Sequence, residues 1–238
     1  MLSETSRTRV ADNWRQAVAA VAAAATAAGR SSDEVRIIGV SKYVDTETTA
    51  ALIAAGCRDL GEARPQQLLA KSAEQLSDTA VRWHLIGPLQ RNKARRLLPV
   101  VDTIHSVDSL KLLRYLDTVA SEEQARVRVL LEVNISGDAT KHGFTRATLS
   151  AAAERGLTTS AVEVVGLMGM AGLHSDADEA RRQFASLRSL RDETAAATGL
   201  RLPELSMGMS GDFVAAIAEG ATQVRIGSRL FEGLLPNE

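Results

Sequence analysis

Val35-Arg36-Ile37-Ile38-Gly39-Val40-Ser41-Lys42 is a short apolar run that delivers a lysine at its carboxyl end. Its density of β-branched residues predicts a buried strand. A lysine placed where a buried strand stops is either an ion-pair partner or a nucleophile, and the strand alone does not choose between them.

Seven further strand-like runs follow, at 58–61, 81–87, 101–105, 127–135, 162–168, 204–207 and 223–227. Helical patterns at 46–55, 65–76, 90–98, 109–120, 146–155, 177–198 and 212–219 separate them, and a last short helix begins at Ser228. Strands that alternate with helices form a parallel sheet, because each crossover must return the chain to the start of the sheet. Eight such units close a (β/α)8 TIM barrel. An open doubly wound sheet would usually announce a glycine-rich first turn, but the first turn here reads VSKYVD, without GxGxxG or a Walker pattern. The expectation is one α/β barrel domain over residues 1–238, with an extra N-terminal helix in 1–30 packed on it. The alanine-rich run at 17–28 belongs to that helix, with Trp14, Val18 and Val21 on one face. Asp12 and Arg15 precede the run and Gly29-Arg30 ends it, which does not read as a secretion signal.

With 28 basic and 29 acidic residues the formal charge is -1, so no overall field draws the protein to nucleic acid or an anionic membrane. Any anion must be held locally. The single cysteine, Cys57, rules out an internal disulfide and reads as a buried small apolar residue in a reducing compartment. No apolar run reaches membrane-spanning length, and the expected location is the cytoplasm.

Barrel geometry gives the polar residues a meaning, because sites in this fold lie at the carboxyl ends of the strands and phosphate is commonly held after strands seven and eight. Lys42 ends the first strand, Glu62 the second, Asn134 the fifth and Met168 the sixth. The seventh runs into Ser206-Met207-Gly208-Met209-Ser210-Gly211 and the eighth into Arg225-Ile226-Gly227-Ser228. Small residues there let backbone N–H groups approach an anion, and Ser206, Ser210 and Ser228 add hydroxyls. The competing reading makes Gly211 and Gly227 turn residues and Ser210 and Ser228 helix caps. Asp212 would compete with a phosphate unless it points away. His84, His105, His142 and His174 show no paired metal-ligand spacing, and His84 and His105 read as satisfied barrel residues. Arg91, Lys93, Arg95 and Arg96 read as a solvated helix face.

Taken together, IGVSK ending at Lys42, LGE at Leu60 to Glu62, WHLIGPLQRNK at Trp83 to Lys93, HSVDS at His105 to Ser109, KHGF at Lys141 to Phe144, GLMGMA at Gly166 to Ala171, LSMGMSGD at Leu205 to Asp212 and VRIGSRLF at Val224 to Phe231 span the chain nearly end to end. In these segments the sequence resembles the pyridoxal-phosphate homeostasis protein family, single-barrel relatives of alanine racemase among fold-type III proteins. The resemblance implies pyridoxal 5'-phosphate as cofactor, with Lys42 forming the internal aldimine. Schiff-base formation needs a neutral amine, which desolvation and a neighbouring cation favour. By the same resemblance Arg225 faces the pyridine nitrogen, Ser206, Met209, Ser210, Gly227 and Ser228 hold the phosphate, and Met168 packs against the ring.

An arginine beside the pyridine nitrogen leaves the ring a weaker electron sink than a carboxylate would, although racemases work with this arrangement. What racemases add is a second domain with a tyrosine that reaches the partner's site, and eight βα units leave no room for it. Tyr43 directly follows Lys42, so strand alternation turns it away unless the loop bends back, and Tyr115 lies within a helix. No catalytic pair and no metal site are expected. The implied role is to hold the cofactor for vitamin B6 homeostasis or delivery to apoenzymes, as a monomer, without amino-acid turnover. A fold-type III racemase or decarboxylase is the alternative, and a Schiff-base aldolase of a phosphorylated sugar a third. Lys141 sits in a loop at the same rim and could take cofactor in transit. One departure stands out: the family usually follows LGE with Asn near the ring hydroxyl, where this chain has Ala63-Arg64.

Overall fold

The computed structural model describes residues 2–74, 80–138 and 142–234. The expected alternation is present throughout: α1 (Glu4–Ala27), β1 (Arg36–Val40), α2 (Thr46–Ala54), β2 (Asp59–Glu62), α3 (Pro65–Glu74), β3 (Arg82–Leu85), α4 (Arg91–Leu97), β4 (Thr103–Val107), α5 (Leu110–Glu122), β5 (Val127–Glu132), α6 (Arg146–Gly156), β6 (Val162–Met168), α7 (Ala177–Thr198), β7 (Glu204–Met209), α8 (Phe213–Ala218) and β8 (Gln223–Ile226). Short 3-10 turns lie at Ser32–Glu34 and Ser228–Phe231. The strands pair in parallel in chain order, and β1 closes on β8 with Arg36 opposite Gln223 and Ile38 opposite Arg225.

Local chemistry explains the helix boundaries. Asp45, Thr145 and Asp176 cap α2, α6 and α7 by accepting backbone N–H groups that the first turn leaves without partners. Gly199 ends α7 in a left-handed conformation that a side chain would strain. On α1 the buried face is Val10, Asn13, Ala17, Val21, Ala24 and Ala25. Trp14 is half-buried, but Val18 is 41% exposed, so the expected Trp14–Val18–Val21 stripe is rotated by about one position. Asn13 explains the rotation: its amide donates to the carbonyls of Leu230 and Glu232 at 3.2 and 3.1 Å, tying α1 to the turn after β8. The strand ends also shift. β3 stops at Leu85, β5 stops at Glu132 with Val133 bridging to Phe144, and β7 extends to Met209.

The apolar core fills the layer between strands and helices, while the barrel floor is polar. Arg36, Asp59, Arg82, Arg128, Glu204 and Gln223 are joined there by ion pairs and hydrogen bonds. Cys57 is fully buried, its thiol pushed up to about 12 by burial, as expected for a packing residue. Among the described residues no helix is long and apolar enough to cross a membrane.

Glycine governs strand contact at Gly166, where a Cβ would stand 1.9 Å from the Glu204 carbonyl oxygen on β7. Gly166→Ala must therefore push β6 from β7. The expected cost is about 3 kcal/mol, read as a lower urea midpoint with unchanged m-value.

Candidate functional site

At the carboxyl ends of the strands lies a cavity of about 710 Å³. Lys42, Met209, Ser210, Arg225, Gly227 and Ser228 line it together, so six of the eight site residues expected from the sequence meet in one place. The other two lie deeper. Met168 packs with Leu130 and Val165 in a small cluster, and Met170, two residues on, reaches the cavity instead. Ser206 is fully buried, accepting a hydrogen bond from Arg225 Nη1 at 2.7 Å and meeting His105 Nδ1 at 2.9 Å. Its hydroxyl is committed beneath the cavity rather than lining it.

Lys42 follows β1 in a turn that Val44 N–H closes onto the Ser41 carbonyl. The chain does bend back there, and Tyr43 joins the cavity wall, with Lys42 Nζ 4.8 Å from its ring centroid. The peptide before Lys42 is anchored from below. Lys71 on α3 donates to the Ser41 carbonyl at 2.7 Å and to Glu62 Oε1 at 2.5 Å, and Ser41 Oγ donates to the same carboxylate. Ala63 N–H completes the set on Glu62 Oε2. Both charges are buried, so each depends on the other. Glu62, expected as a strand-end residue, is thus a support for Lys42 and not a cavity group.

Arg225 enters from β8, 5% exposed, with Nη2 donating to the Gly169 carbonyl at 3.1 Å. Burial lowers its pKa to about 10 while Asp212 and Glu132 pull it back up, so it stays charged at neutral pH. In the loop after β7, Asp212 Oδ1 accepts from Met209 N–H at 2.5 Å, and Gly227 N–H donates to Ser210 Oγ at 3.2 Å. Asp212 does not point away: it occupies one backbone donor of this loop. Ser210 and Gly211 N–H and the Ser210 and Ser228 hydroxyls remain around open space, where a Cβ on Gly211 would touch nothing within 4 Å. The donor set fits an anion bonded to a flat polar ring: hydroxyls and N–H groups at one end, a guanidinium below, and Val40, Ile86, Val133 and Met209 as apolar walls.

Sequence reading missed the wall of Asp108, Glu132 and His142. Burial, then the Asp108 charge, raises the Glu132 pKa, and His142 Nδ1 lies 3.8 Å from Asp108 Oδ2. HSVDS and KHGF carried two of these residues, but only barrel closure shows that they face Lys42's cavity. Ala63 lines the cavity and Arg64 is exposed outside it, so Arg64 does not stand in for the expected Asn. Lys141 lies outside the described residues.

Comparison with known proteins shows the family and the fold. The profile of the alanine racemase N-terminal domain matches residues 9–234. A pyridoxal phosphate homeostasis protein of Pseudomonas aeruginosa is 39% identical over 222 residues, 93% of this chain and 94% of its own length. PipY of Synechococcus elongatus, solved with PLP bound, has a TM-score of 0.79 at 39% identity and covers 83% of this chain and 92% of its own. Alanine racemase of Corynebacterium glutamicum shares the fold alone, with a TM-score of 0.71 at 15% identity, and this chain covers 63% of it.

Two supports of the site are testable. Lys71→Met strands the Glu62 carboxylate and is expected to cost about 3–5 kcal/mol, whereas the double variant Lys71→Met/Glu62→Leu recovers most of that loss in urea titrations. Burial opposes ionisation of Asp59, but hydrogen bonds from His84 and Arg82 outweigh it and hold its pKa near 2. Because the folded value is depressed, the stabilisation is complete above the unfolded value near ~4 and disappears as pH falls through 2, about 2 kcal/mol in all. Asp59→Asn should lack this part of the acid transition.

Proposed function

This chain belongs to the pyridoxal phosphate homeostasis protein family, within the wider family of alanine racemase N-terminal domains, and we propose that it binds pyridoxal 5'-phosphate in the barrel-mouth cavity through a Schiff base to Lys42. The carrying observation is the convergence on one cavity of Lys42, Arg225 and the Ser210–Gly211 and Gly227–Ser228 loops. When bound, the cofactor supplies a reactive aldehyde and an electron-withdrawing ring. Ser210, Ser228 and neighbouring N–H groups would hold its phosphate, Arg225 would donate to its ring nitrogen, and Met170 and Met209 would line the space for the ring. Met168 and Ser206 then act from beneath, as packing and as anchor for Arg225.

The role we assign is to sequester the cofactor and keep it available for vitamin B6 homeostasis and delivery to apoenzymes, by one barrel domain over residues 1–238, working as a cytoplasmic monomer. Absence of amino-acid turnover is supported by relatives named for homeostasis and not for an enzyme activity, and by Arg225, which as a donor leaves the ring nitrogen unprotonated. Ala63 offers no hydrogen bond to the ring hydroxyl, so binding is weaker than with Asn there. A second reading, a racemase or decarboxylase, draws support from Glu132, whose raised pKa suits a proton carrier.

Mixing the protein with pyridoxal 5'-phosphate should give a visible absorption band that borohydride fixes to the protein, with the label on the peptide containing Lys42 and none in Lys42→Ala. No band in the wild type would sink the proposal. Solvent deuterium at the α-carbon of any amino acid incubated with the loaded protein would favour the second reading.

A further inference from the structure

Four buried side chains run in single file from the barrel floor to Arg225. Asp59 Oδ1 meets His84 Nε2 at 3.0 Å, His84 Nδ1 meets His105 Nε2 at 3.0 Å, His105 Nδ1 meets Ser206 Oγ at 2.9 Å, and Arg225 Nη1 donates to Ser206 Oγ at 2.7 Å. His84, His105 and Ser206 are completely buried, and Asp59 nearly so. None of the four lines the cavity. We infer that Asp59, His84, His105 and Ser206 form a hydrogen-bond chain of fixed direction that positions the Arg225 guanidinium for the ligand in the cavity.

The direction follows from counting protons. An ionised carboxylate only accepts, so His84 Nε2 carries a proton whichever way the rest is arranged. Arg82 binds Asp59 through both oxygens, at 2.7 and 2.6 Å, and Arg36 lies 3.9 Å away, so the carboxylate already has its counter-charge. Two neutral imidazoles are then the charge-balanced state. Burial first, and then the positive charge around it, from the His84 side as well as from Arg225, Arg36 and Arg128, push the His105 pKa well below the usual imidazole range. With one proton per ring, His84 Nδ1 must accept from His105 Nε2–H, and His105 Nδ1 must accept from the Ser206 hydroxyl. Ser206 is left with its lone pairs toward Arg225, the only arrangement in which every donor meets an acceptor.

The consequence is for Arg225. Two of its five N–H groups are held, by Ser206 Oγ and the Gly169 carbonyl, which fixes the plane of the guanidinium while leaving donors for the cavity. If the chain ran the other way, His105 and Arg225 would both donate to Ser206 Oγ, and the buried hydroxyl proton would have no acceptor among these groups. Asp59, His84, His105 and Ser206 are positioning residues: they touch no ligand and act through Arg225. That the ligand is pyridoxal 5'-phosphate rests on the function proposed above, whereas the chain itself does not.

Nitrogen-15 NMR of histidine- and arginine-labelled protein, free of cofactor, reads the chain directly. The expected spectrum has protonated Nε2 and bare Nδ1 on both His84 and His105, and separate Nη signals for a held Arg225. Ser206→Ala should move the His105 Nδ1 signal downfield and merge the Arg225 signals, and Ser206→Thr should restore both. A proton on Nδ1 of His105, or a Ser206→Ala spectrum unchanged at both residues, overturns the inference. Binding then tests the purpose. Loss of one hydrogen bond to a charged group should weaken pyridoxal 5'-phosphate about tenfold in Ser206→Ala, and pyridoxal, which lacks the phosphate, by the same factor. Weakening confined to the phosphorylated ligand would mean that Ser206 serves the phosphate and would overturn its positioning role. Failure of the wild type to bind either ligand would remove the cofactor reading and leave the NMR result to judge the chain.

Discussion

A guanidinium buried with no carboxylate in ion-pair contact among the described residues is the constraint on which this site depends. Arg225 is charged at neutral pH, yet its bonded partners are a hydroxyl and a backbone carbonyl, both neutral. Asp212 and Glu132 act on it only through space. Desolvating a cation costs several kcal/mol unless charge or hydrogen bonding compensates it. The barrel offsets part of that cost with oriented acceptors and leaves the rest to what enters the cavity. A site with a spare buried positive charge and open hydroxyl and N–H donors nearby favours an anionic ligand over water.

The floor shows the opposite arrangement. There Arg36, Arg82 and Arg128 are matched by Asp59, Asp102 and Glu204 in a network that is nearly complete without any ligand. Burial disfavours ionisation of Asp59 and Glu204, but hydrogen bonds and the arginines overcome it and lower both pKa values. Paired charges at the amino ends of the strands stabilise the barrel, and under-paired charge at the carboxyl ends makes it bind. The two regions are joined by the Asp59–His84–His105–Ser206 file, a polar path through the packed interior.

The strands and helices were legible because each is a short apolar or amphipathic run with turn residues between, and eight of them leave few ways to close a sheet. Lys42, Arg225 and the two serine loops were legible because barrel sites lie at strand ends, where linear order already predicts proximity. The misplacements have local physical causes. Val18 was set on the buried face by helical period alone, but the Asn13 hydrogen bonds to Leu230 and Glu232 turn α1 away from it. Met168 and Ser206 were named as cofactor residues by the resemblance, but neither lines the cavity: Met168 packs with Leu130 and Val165, and β7 continues to Met209, which places Ser206 one layer lower. Lys71 was not singled out: nothing in a helical pattern distinguishes a lysine that reaches inward to Glu62 and the Ser41 carbonyl from one in solvent. The Asp108, Glu132 and His142 wall was equally silent, since it is assembled from three separate segments.

That wall bears on the proposed role of holding a cofactor without turning over an amino acid. Carboxylates at 108 and 132 in the cavity wall disfavour the carboxylate of an incoming amino acid. The same wall favours a protonated amine, the form in which a lysine side chain of another protein would arrive. In the proposed role the buried arginine would face an anionic ring compound, while Asp108 and Glu132 in the wall of the same cavity would favour amines over carboxylates as its neighbours. On the proposed role, that arrangement would favour exchange of the bound compound between amines over chemistry on an amino acid whose carboxylate must be held in the same cavity.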